Sequence, residues 1–201
     1  MIARPLLASL TALAAGVAAL GYATDGFRVV TAEGARRLAV AESPRPLPDV
    51  ELEDQDGRPF RLDDYRGRPL LVGFFYTRCP TVCTQVSDAF HRLRAALPSA
   101  GDGAPVVLSI TFDPAADTIG AIRDYGRAFG ADGSTWRFAR PRDSATRDAL
   151  LATFGIVVIP DTFGGFDHNA AIHVVDRQGR LARIYDLDEA DAAKRAMRDM
   201  R

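Results

Sequence analysis

The chain is short of cysteine, of histidine and of net charge. Its 201 residues include two cysteines and three histidines, and the formal net charge is -1. Two cysteines can form one pair but cannot make a disulfide scaffold. A charge so close to zero gives no reason to expect nucleic acid as a partner. The sequence also lacks internal repeats and low-complexity segments, and its hydrophobic content of 47% is that of one folded domain with an appendage.

The first 24 residues have the pattern of a targeting segment. Arg4 supplies a positive flank, and Leu6 to Ala23 is uncharged and mostly apolar. Small residues near its end suit signal-peptide cleavage, whereas its length is just enough for a retained membrane anchor. We expect residues 1–24 to be an inner-membrane anchor, with cleavage to a soluble periplasmic form as the alternative. In both cases the folded part is exported to the periplasm, with Arg4 left on the cytoplasmic side.

Residues 25–48 are predicted to form a proline-rich tether. A short helix is expected at Glu33 to Val40, and the segment ends in Ser43-Pro-Arg-Pro-Leu-Pro48. Such a density of proline is expected to prevent regular structure and to give a semi-rigid spacer. The domain proper is then predicted to span residues 49–201.

Within that domain, strand and helix patterns alternate. The two most apolar runs, Leu70–Tyr76 and Pro105–Phe112, predict buried strands. The other expected strands are Val50–Glu53, Pro59–Leu62, Trp136–Ala139, Ala170–Asp176 and Arg180–Tyr185. Helices are expected at Thr81–Leu97, Asp117–Phe129, Ser144–Phe154 and Asp188–Met200. This order predicts an α/β fold with a central mixed sheet flanked by helices.

Both cysteines follow the first buried strand directly. Pro80 comes just after Cys79, where the start of a helix tolerates proline. If the helix begins there, Cys79 lies at its amino end and Cys83 lies one turn further along the same face. The positive end of the helix dipole is expected to lower the pKa of a thiol at this position and to favour the thiolate.

Three segments resemble the Sco/SenC family, whose members deliver copper during assembly of cytochrome c oxidase. They are Phe74-Phe-Tyr-Thr-Arg-Cys79-Pro-Thr-Val-Cys83, Ser109-Ile-Thr-Phe-Asp113-Pro114 followed by Asp117-Thr118, and Asp167-His168-Asn-Ala-Ala-Ile-His-Val-Val-Asp176. The resemblance covers about residues 49–187 and implies a thioredoxin-like fold. It also implies a copper-accepting subunit of cytochrome c oxidase as the partner.

Carried over residue by residue, the resemblance assigns Cys79, Cys83 and His168 as the copper ligands. Asp113 matches an acidic position close to that site. This chain departs from the family pattern at Thr84, where proline is frequent, at Asn169, where Ser or Thr is frequent, and at His173, where an aromatic residue is usual. None of these departures removes a ligand.

The chemistry of two thiolates and one imidazole agrees with that assignment. Such a soft set of three donors suits Cu(I) and can also hold Cu(II). A structural zinc site would need a fourth ligand, from His91, His173 or a carboxylate, and is the weaker expectation. An exposed site with three ligands would suit a carrier, because an acceptor can approach it. The thiols must be reduced to bind, so a disulfide would empty the site.

Plainer interpretations of the same residues stay open. The cysteines could form a structural disulfide, although a loop this short contributes little chain entropy. Without the cysteine pair, His168 would be an ordinary loop histidine. We expect His91 to face solvent and His173 to be packed with one hydrogen-bond partner, so neither is predicted to be a ligand. Asp113 fits a strand-ending turn as well as it fits a functional carboxylate at the end of a sheet strand.

Two functions compete. The first is a copper metallochaperone that uses Cys79, Cys83 and His168. The second is a thiol–disulfide oxidoreductase that keeps the acceptor's cysteines reduced, with Cys79 as nucleophile and Cys83 resolving, and with a thiol reductant protein as a further partner. The C-x3-C spacing disfavours a general reductase. A proline directly before the strand of the terminal hairpin, which such reductases carry, is also missing: Asn169 stands there, and Pro160 is well upstream. A peroxidase-like enzyme ranks last, because nothing marks a peroxide pocket.

Overall fold

A computed structural model describes residues 3–24, 26, 29, 31–79, 82–98, 101, 103–162 and 164–200. The chain divides into two compact units, residues 1–39 and 40–201. Helix α1 (Ala3–Ala23) belongs to the first unit, and its Leu6–Ala23 stretch is long and apolar enough to cross a membrane. Large apolar side chains along it, including Leu7 and Leu13, are exposed. This length and composition are typical of a membrane anchor and also of a signal sequence.

The other elements follow in chain order. The helices are α2 (Ala32–Glu42), α3 (Val82–Ala96), α4 (Ile119–Ala128), α5 (Ser144–Phe154) and α6 (Ala190–Asp199). The strands are β1 (Arg45–Pro46), β2 (Glu51–Asp54), β3 (Pro59–Arg61), β4 (Leu70–Phe75), β5 (Val106–Thr111), β6 (Trp136–Pro141), β7 (Val158–Pro160), β8 (Phe166–His168), β9 (Ile172–Val175) and β10 (Arg180–Tyr185). Short 3-10 helices occupy Leu62–Tyr65 and Leu187–Glu189.

Eight strands form one mixed sheet in the order β1-β10-β9-β4-β5-β6-β2-β3. Strand β4 is parallel to β5, and β5 is parallel to β6, whereas the other pairings are antiparallel. Every residue of β4 and β5 is buried, as their continuous apolar sequences predict. The prediction of a central mixed sheet flanked by helices is confirmed.

Helices pack on both faces of β4, and one glycine allows the closest approach. A Cβ added at Gly73 would lie 2.8 Å from the ring of Phe90 on α3, so only glycine leaves room for that ring. The next residue, Phe74, points to the opposite face and packs edge-on against Phe154 of α5, with ring centroids 5.1 Å apart. This packing fixes the end of β4, from which the cysteine segment leaves the sheet.

Two details differ from the sequence-based expectations. The proline-rich segment was expected to have no regular structure, but β1 pairs with β10 at the edge of the sheet, and this expectation was wrong. Pro46 fits there because an edge strand has one side without ladder hydrogen bonds. Strands β7 and β8 were not predicted at all. They form a separate two-stranded sheet, and their three-residue lengths, with a proline in one strand, gave no strand pattern in the sequence.

Candidate metal centre

The cysteine segment leaves the buried end of β4 and enters α3. Helix α3 begins at Val82, so Cys83 lies in its first turn, and Cys79 lies just before it. The predicted helix start at Pro80 and Thr81 falls outside the described residues. The backbone N–H of Cys83 donates a hydrogen bond to the Cys79 sulfur over 3.3 Å. The two cysteines are not joined by a disulfide, so this contact lies within a reduced pair.

His168 reaches the same place from the small β7–β8 sheet. It is the last residue of β8 and pairs with Val158 of β7. Its Nε2 lies 3.6 Å from the Cys83 sulfur, although the two residues are 85 positions apart in the chain. The ring of Phe112 packs edge-on against the imidazole, with a centroid distance of 5.0 Å. The fold therefore places both Cys79 and His168 in contact with Cys83.

This arrangement is not yet a closed metal site. Among the residues that the structure describes, no three His, Cys, Asp or Glu side chains form a group placed to hold a metal ion. Both cysteines are buried, contrary to the expectation of an exposed site, and His168 is half-buried. The donor set of two thiols and one imidazole nevertheless fits a soft metal.

Burial determines the protonation of Cys83 and of His168. Burial raises the pKa of the Cys83 thiol well above its ordinary value. At Cys83 the loss of solvent outweighs the dipole of the helix, whereas the expected effect of the dipole at the amino end of the helix, where Cys79 lies, stays a prediction. Burial lowers the pKa of His168, and this outweighs the opposing influence of Asp167. The imidazole is thus neutral at pH 7, which is the form that binds metals.

One ring nitrogen of His168 is buried inside the protein. Its Nδ1 is buried and makes no hydrogen bond within the described part of the chain. A metal-binding histidine usually donates its second ring N–H to a carboxylate or a carbonyl, which fixes the orientation of the ring. Here the ring is held by its contacts with Cys83 and Phe112 instead.

Asp113 contacts the cysteine segment through Arg78. Its carboxylate accepts a hydrogen bond from Arg78 over 2.7 Å, and Arg78 directly precedes Cys79. The acid that reaches the segment from inside is Asp117, which is fully buried. It accepts hydrogen bonds from the backbone N–H and the hydroxyl of Thr77 and from the hydroxyl of Thr111. The sequence pattern around Asp117 did not predict a role for it, since nothing in that pattern shows that the residue is buried.

The other two histidines lie elsewhere. His91 is exposed, and its Nδ1 is 2.9 Å from the carbonyl oxygen of Phe129. His173 is fully buried in β9, with Nδ1 3.1 Å from the carbonyl oxygen of Val72. Both observations confirm the predicted environments of these side chains.

Comparison with known proteins identifies the family of this chain. The family model described as SCO1/SenC matches residues 41–201. A protein named as copper-binding from Stutzerimonas stutzeri is 33% identical over 81 residues, which is 40% of this chain and 40% of that protein. The matched part is thus less than half the length of that relative.

Solved structures show the same fold. The apo Sco1 protein of Thermus thermophilus is 30% identical, with a TM-score of 0.62 over 79% of this chain and 91% of that one. BsSco is 17% identical, with a TM-score of 0.69 over 79% of this chain and 94% of that one, and its structure is described as that of a member of the Sco family of cytochrome c oxidase assembly proteins with a disulfide switch. These structures confirm the expected thioredoxin-like fold. The SCO1/SenC family model covers every residue of the larger unit except the first. The chain therefore belongs to the SCO1/SenC family.

Proposed function

We propose that this protein is a copper metallochaperone that delivers copper to the binuclear copper site of cytochrome c oxidase. The observation that carries the proposal is the 3.6 Å contact between the Cys83 sulfur and Nε2 of His168. It places an imidazole beside a pair of reduced thiols, and two thiolates with one imidazole are a soft donor set that suits copper. Membership of the SCO1/SenC family and the copper-binding relative support the same function.

The proposed ligands differ in their protonation and in their exposure. His168 is ready to bind as a neutral imidazole, whereas the buried Cys83 thiol has to lose its proton when copper is bound. Copper binding should therefore release protons and should weaken as the pH falls. His168 is the most exposed of the three and lies on a short hairpin, so we expect the acceptor to exchange with this ligand first.

Copper titration of single variants tests the ligand assignment. The full-length protein in detergent micelles would be titrated anaerobically with Cu(I), and Cu(II) would be tested separately. Wild type should bind about one copper, and Cys79→Ala, Cys83→Ala and His168→Ala should each lose at least tenfold in affinity. His91→Ala is the matched control, because His91 is exposed and bonds to Phe129, and it should bind as wild type does. Wild-type affinity in His168→Ala would refute the assignment.

Delivery needs a separate measurement. The copper-loaded protein would be mixed with the apo copper-binding domain of an oxidase subunit, and the copper bound to that domain would be measured after the two proteins are separated. The proposal predicts that copper reaches the domain without free copper in solution and that a soluble chelator does not abolish the transfer. Transfer no faster than that from a copper–glutathione complex would contradict a delivery role.

The second candidate is a dedicated thiol–disulfide oxidoreductase. The hydrogen bond from the Cys83 N–H to the Cys79 sulfur favours it, because the two thiols already lie together. The raised pKa of Cys83 would slow only the second step, in which Cys83 has to become a thiolate to resolve the mixed disulfide that Cys79 forms. Turnover of a disulfide substrate that needs both cysteines, but is unchanged in His168→Ala, would favour this function. A thiol reductant protein would then be required to restore the reduced pair.

The apolar helix α1 supports an exported location. We place the folded unit in the periplasm, held to the inner membrane by Leu6–Ala23. The full-length protein should then stay with the membrane pellet after an alkaline wash. Recovery of a shortened form in the soluble periplasmic fraction would show that the segment is instead cleaved.

A further inference from the structure

A tight turn of residues 76–79, the cysteine turn, delivers Cys79 from the end of β4. The Cys79 N–H donates a hydrogen bond to the carbonyl oxygen of Tyr76 over 3.3 Å. Thr77 and Arg78 are therefore the two central residues of the turn. Its first residue is fixed to the β7–β8 hairpin, because the Tyr76 hydroxyl accepts the backbone N–H of Phe166 over 3.1 Å. The position of the Cys79 sulfur then depends on what holds the two central residues.

Asp117 holds Thr77 from inside the protein. The Thr77 N–H lies 3.1 Å from Oδ2 of Asp117, and the Thr77 hydroxyl donates to Oδ1 over 2.5 Å. A third donor to this carboxylate is the hydroxyl of Thr111, the last residue of β5. Asp117 and Thr111 are both fully buried. A buried carboxylate is costly unless it is hydrogen-bonded, so these bonds tie the cysteine turn firmly to the end of the neighbouring strand.

The backbone on both sides of Asp117 fixes where its carboxylate lies. The Asp117 N–H donates to the carbonyl oxygen of Asp113 over 2.9 Å, which closes a turn after β5. The next residue, Thr118, caps α4, since its hydroxyl accepts the N–H of Ala121 over 3.2 Å. The carboxylate thus stands between a closed turn and a capped helix, and its contact with Thr77 transmits that fixed position to the cysteine turn.

The placement of the Cys79 sulfur can be followed at a single amide. The first four N–H groups of a helix have no acceptor within the helix. One of them is the N–H of Cys83, in the first turn of α3, and it donates to the Cys79 sulfur over 3.3 Å. If the cysteine turn loosens, this acceptor moves away and the Cys83 N–H becomes open to exchange with solvent.

We infer that Asp117 is a positioning residue that acts through Thr77 to hold the sulfur of Cys79 beside Cys83. The hold on the sulfur stands on the hydrogen bonds alone, whereas its effect on copper rests on the proposed function. Groups outside the ligand set that orient a ligand typically alter metal affinity by 10–100-fold. Asp117 acts in this way, because it keeps one thiol next to the other before the metal arrives.

Amide hydrogen exchange at Cys83 tests the positioning without copper. In the reduced full-length protein in detergent micelles, Asp117→Asn should accelerate this exchange at least tenfold, because it removes the charged acceptor of Thr77. Thr77→Val should accelerate it about fivefold, as expected for one ordinary hydrogen bond, since only the hydroxyl is lost. Thr77→Ser keeps the hydroxyl and should exchange as wild type does. Wild-type exchange in either Asp117→Asn or Thr77→Val would overturn the inference.

Asp176→Asn is the matched control for a general loss of stability. Asp176 is also buried, and its carboxylate accepts two backbone N–H groups of the β9–β10 turn, each over 2.9 Å. It follows β9, whose last residue pairs with Leu70 at the start of β4, so it lies at the opposite end of the sheet from the cysteine turn. The control should leave exchange at Cys83 unchanged. Equal acceleration by Asp176→Asn and Asp117→Asn would refute the positioning role.

Copper affinity tests the consequence for the metal. Asp117→Asn should bind Cu(I) about tenfold more weakly than wild type, and Asp176→Asn should bind it as wild type does. Faster exchange at Cys83 with unchanged copper affinity would show that the contact is merely structural and would refute the positioning role. A wild-type protein that binds no copper would refute the proposed function, while the exchange measurements would still decide whether Asp117 holds the Cys79 sulfur.

Discussion

Replacement of Asp117 by alanine should destabilise the folded domain more than replacement of any surface acid. Asp117 is fully buried, and its carboxylate accepts the backbone N–H and the hydroxyl of Thr77 together with the hydroxyl of Thr111. Thr111 is also fully buried, so its hydroxyl loses its acceptor in the variant. Thr77 lies two positions before Cys79, so the same change should loosen the cysteine segment.

The magnitude follows from the donors that are left behind. An unsatisfied buried donor costs about 1–3 kcal/mol, and Asp117→Ala leaves two such groups, the Thr77 N–H and the Thr111 hydroxyl. The desolvation of the carboxylate, which the variant avoids, offsets part of this cost. We therefore expect a loss of about 3 kcal/mol in the free energy of unfolding. With a urea m-value of about 2 kcal/mol/M, the midpoint should fall by about 1.5 M.

Asp113→Ala provides the matched control for this experiment. Asp113 lies four positions away and pairs with Arg78, and the side chains of Asp113 and Arg78 are 12% and 56% exposed. Because the arginine of this pair is open to solvent, we expect the pair to contribute about 1 kcal/mol, so the urea midpoint should fall by about 0.5 M. Both variants would be unfolded in urea and followed by tryptophan fluorescence and circular dichroism. A midpoint shift for Asp117→Ala no larger than that for Asp113→Ala would refute the reasoning.

Three further outcomes follow from the same structure. Gly73→Ala should lower the free energy of unfolding by about 1–3 kcal/mol in urea titration, because the new methyl overlaps the ring of Phe90, and an unchanged midpoint would contradict that packing. His173→Phe should bind copper with wild-type affinity, since His173 is buried against the Val72 carbonyl, and a loss of copper would make it a ligand. For Asp132, burial raises the pKa, but hydrogen bonds from Thr135 and from neighbouring backbone amides outweigh it and hold the pKa below its ordinary value. The stability that the Asp132 carboxylate gives the fold should therefore be complete above about pH 5 and be lost as the pH falls below about 4. The thermal unfolding temperature of Asp132→Asn should fall less than that of wild type over this pH range. Identical pH profiles of the two proteins would exclude the effect.

The strongest local patterns in the sequence predicted the fold well. The apolar runs of β4 and β5 identified the centre of the sheet, because a strand covered on both faces has no polar alternation. The terminal hairpin of β9 and β10 was identified by its turn at residues 177–179. The edge strand β1 and the β7–β8 sheet were not predicted, since strands of two or three residues carry too little pattern.

The site was predicted only in part, and its residues differ in how visible they are in the sequence. Cys79 and Cys83 are visible because they are the only cysteines and lie close together. His168 was linked to them by resemblance alone, and its place beside Cys83 is a result of the fold. Asp117 and the hydroxyl of Tyr76 were not identified as important, because their significance depends on partners distant in the chain.

The sequence by itself determined the cysteine pair of this protein, the buried strand that leads into it and the apolar amino-terminal segment. Composition and short-range periodicity are enough to identify these three features. Only the tertiary structure decided that the Cys83 sulfur meets the imidazole of His168, and that burial raises the pKa of Cys83 where the helix terminus alone would lower it. Contacts across 85 positions and the exclusion of solvent depend on how the sheet and its helices pack, and no local stretch of sequence specifies either one.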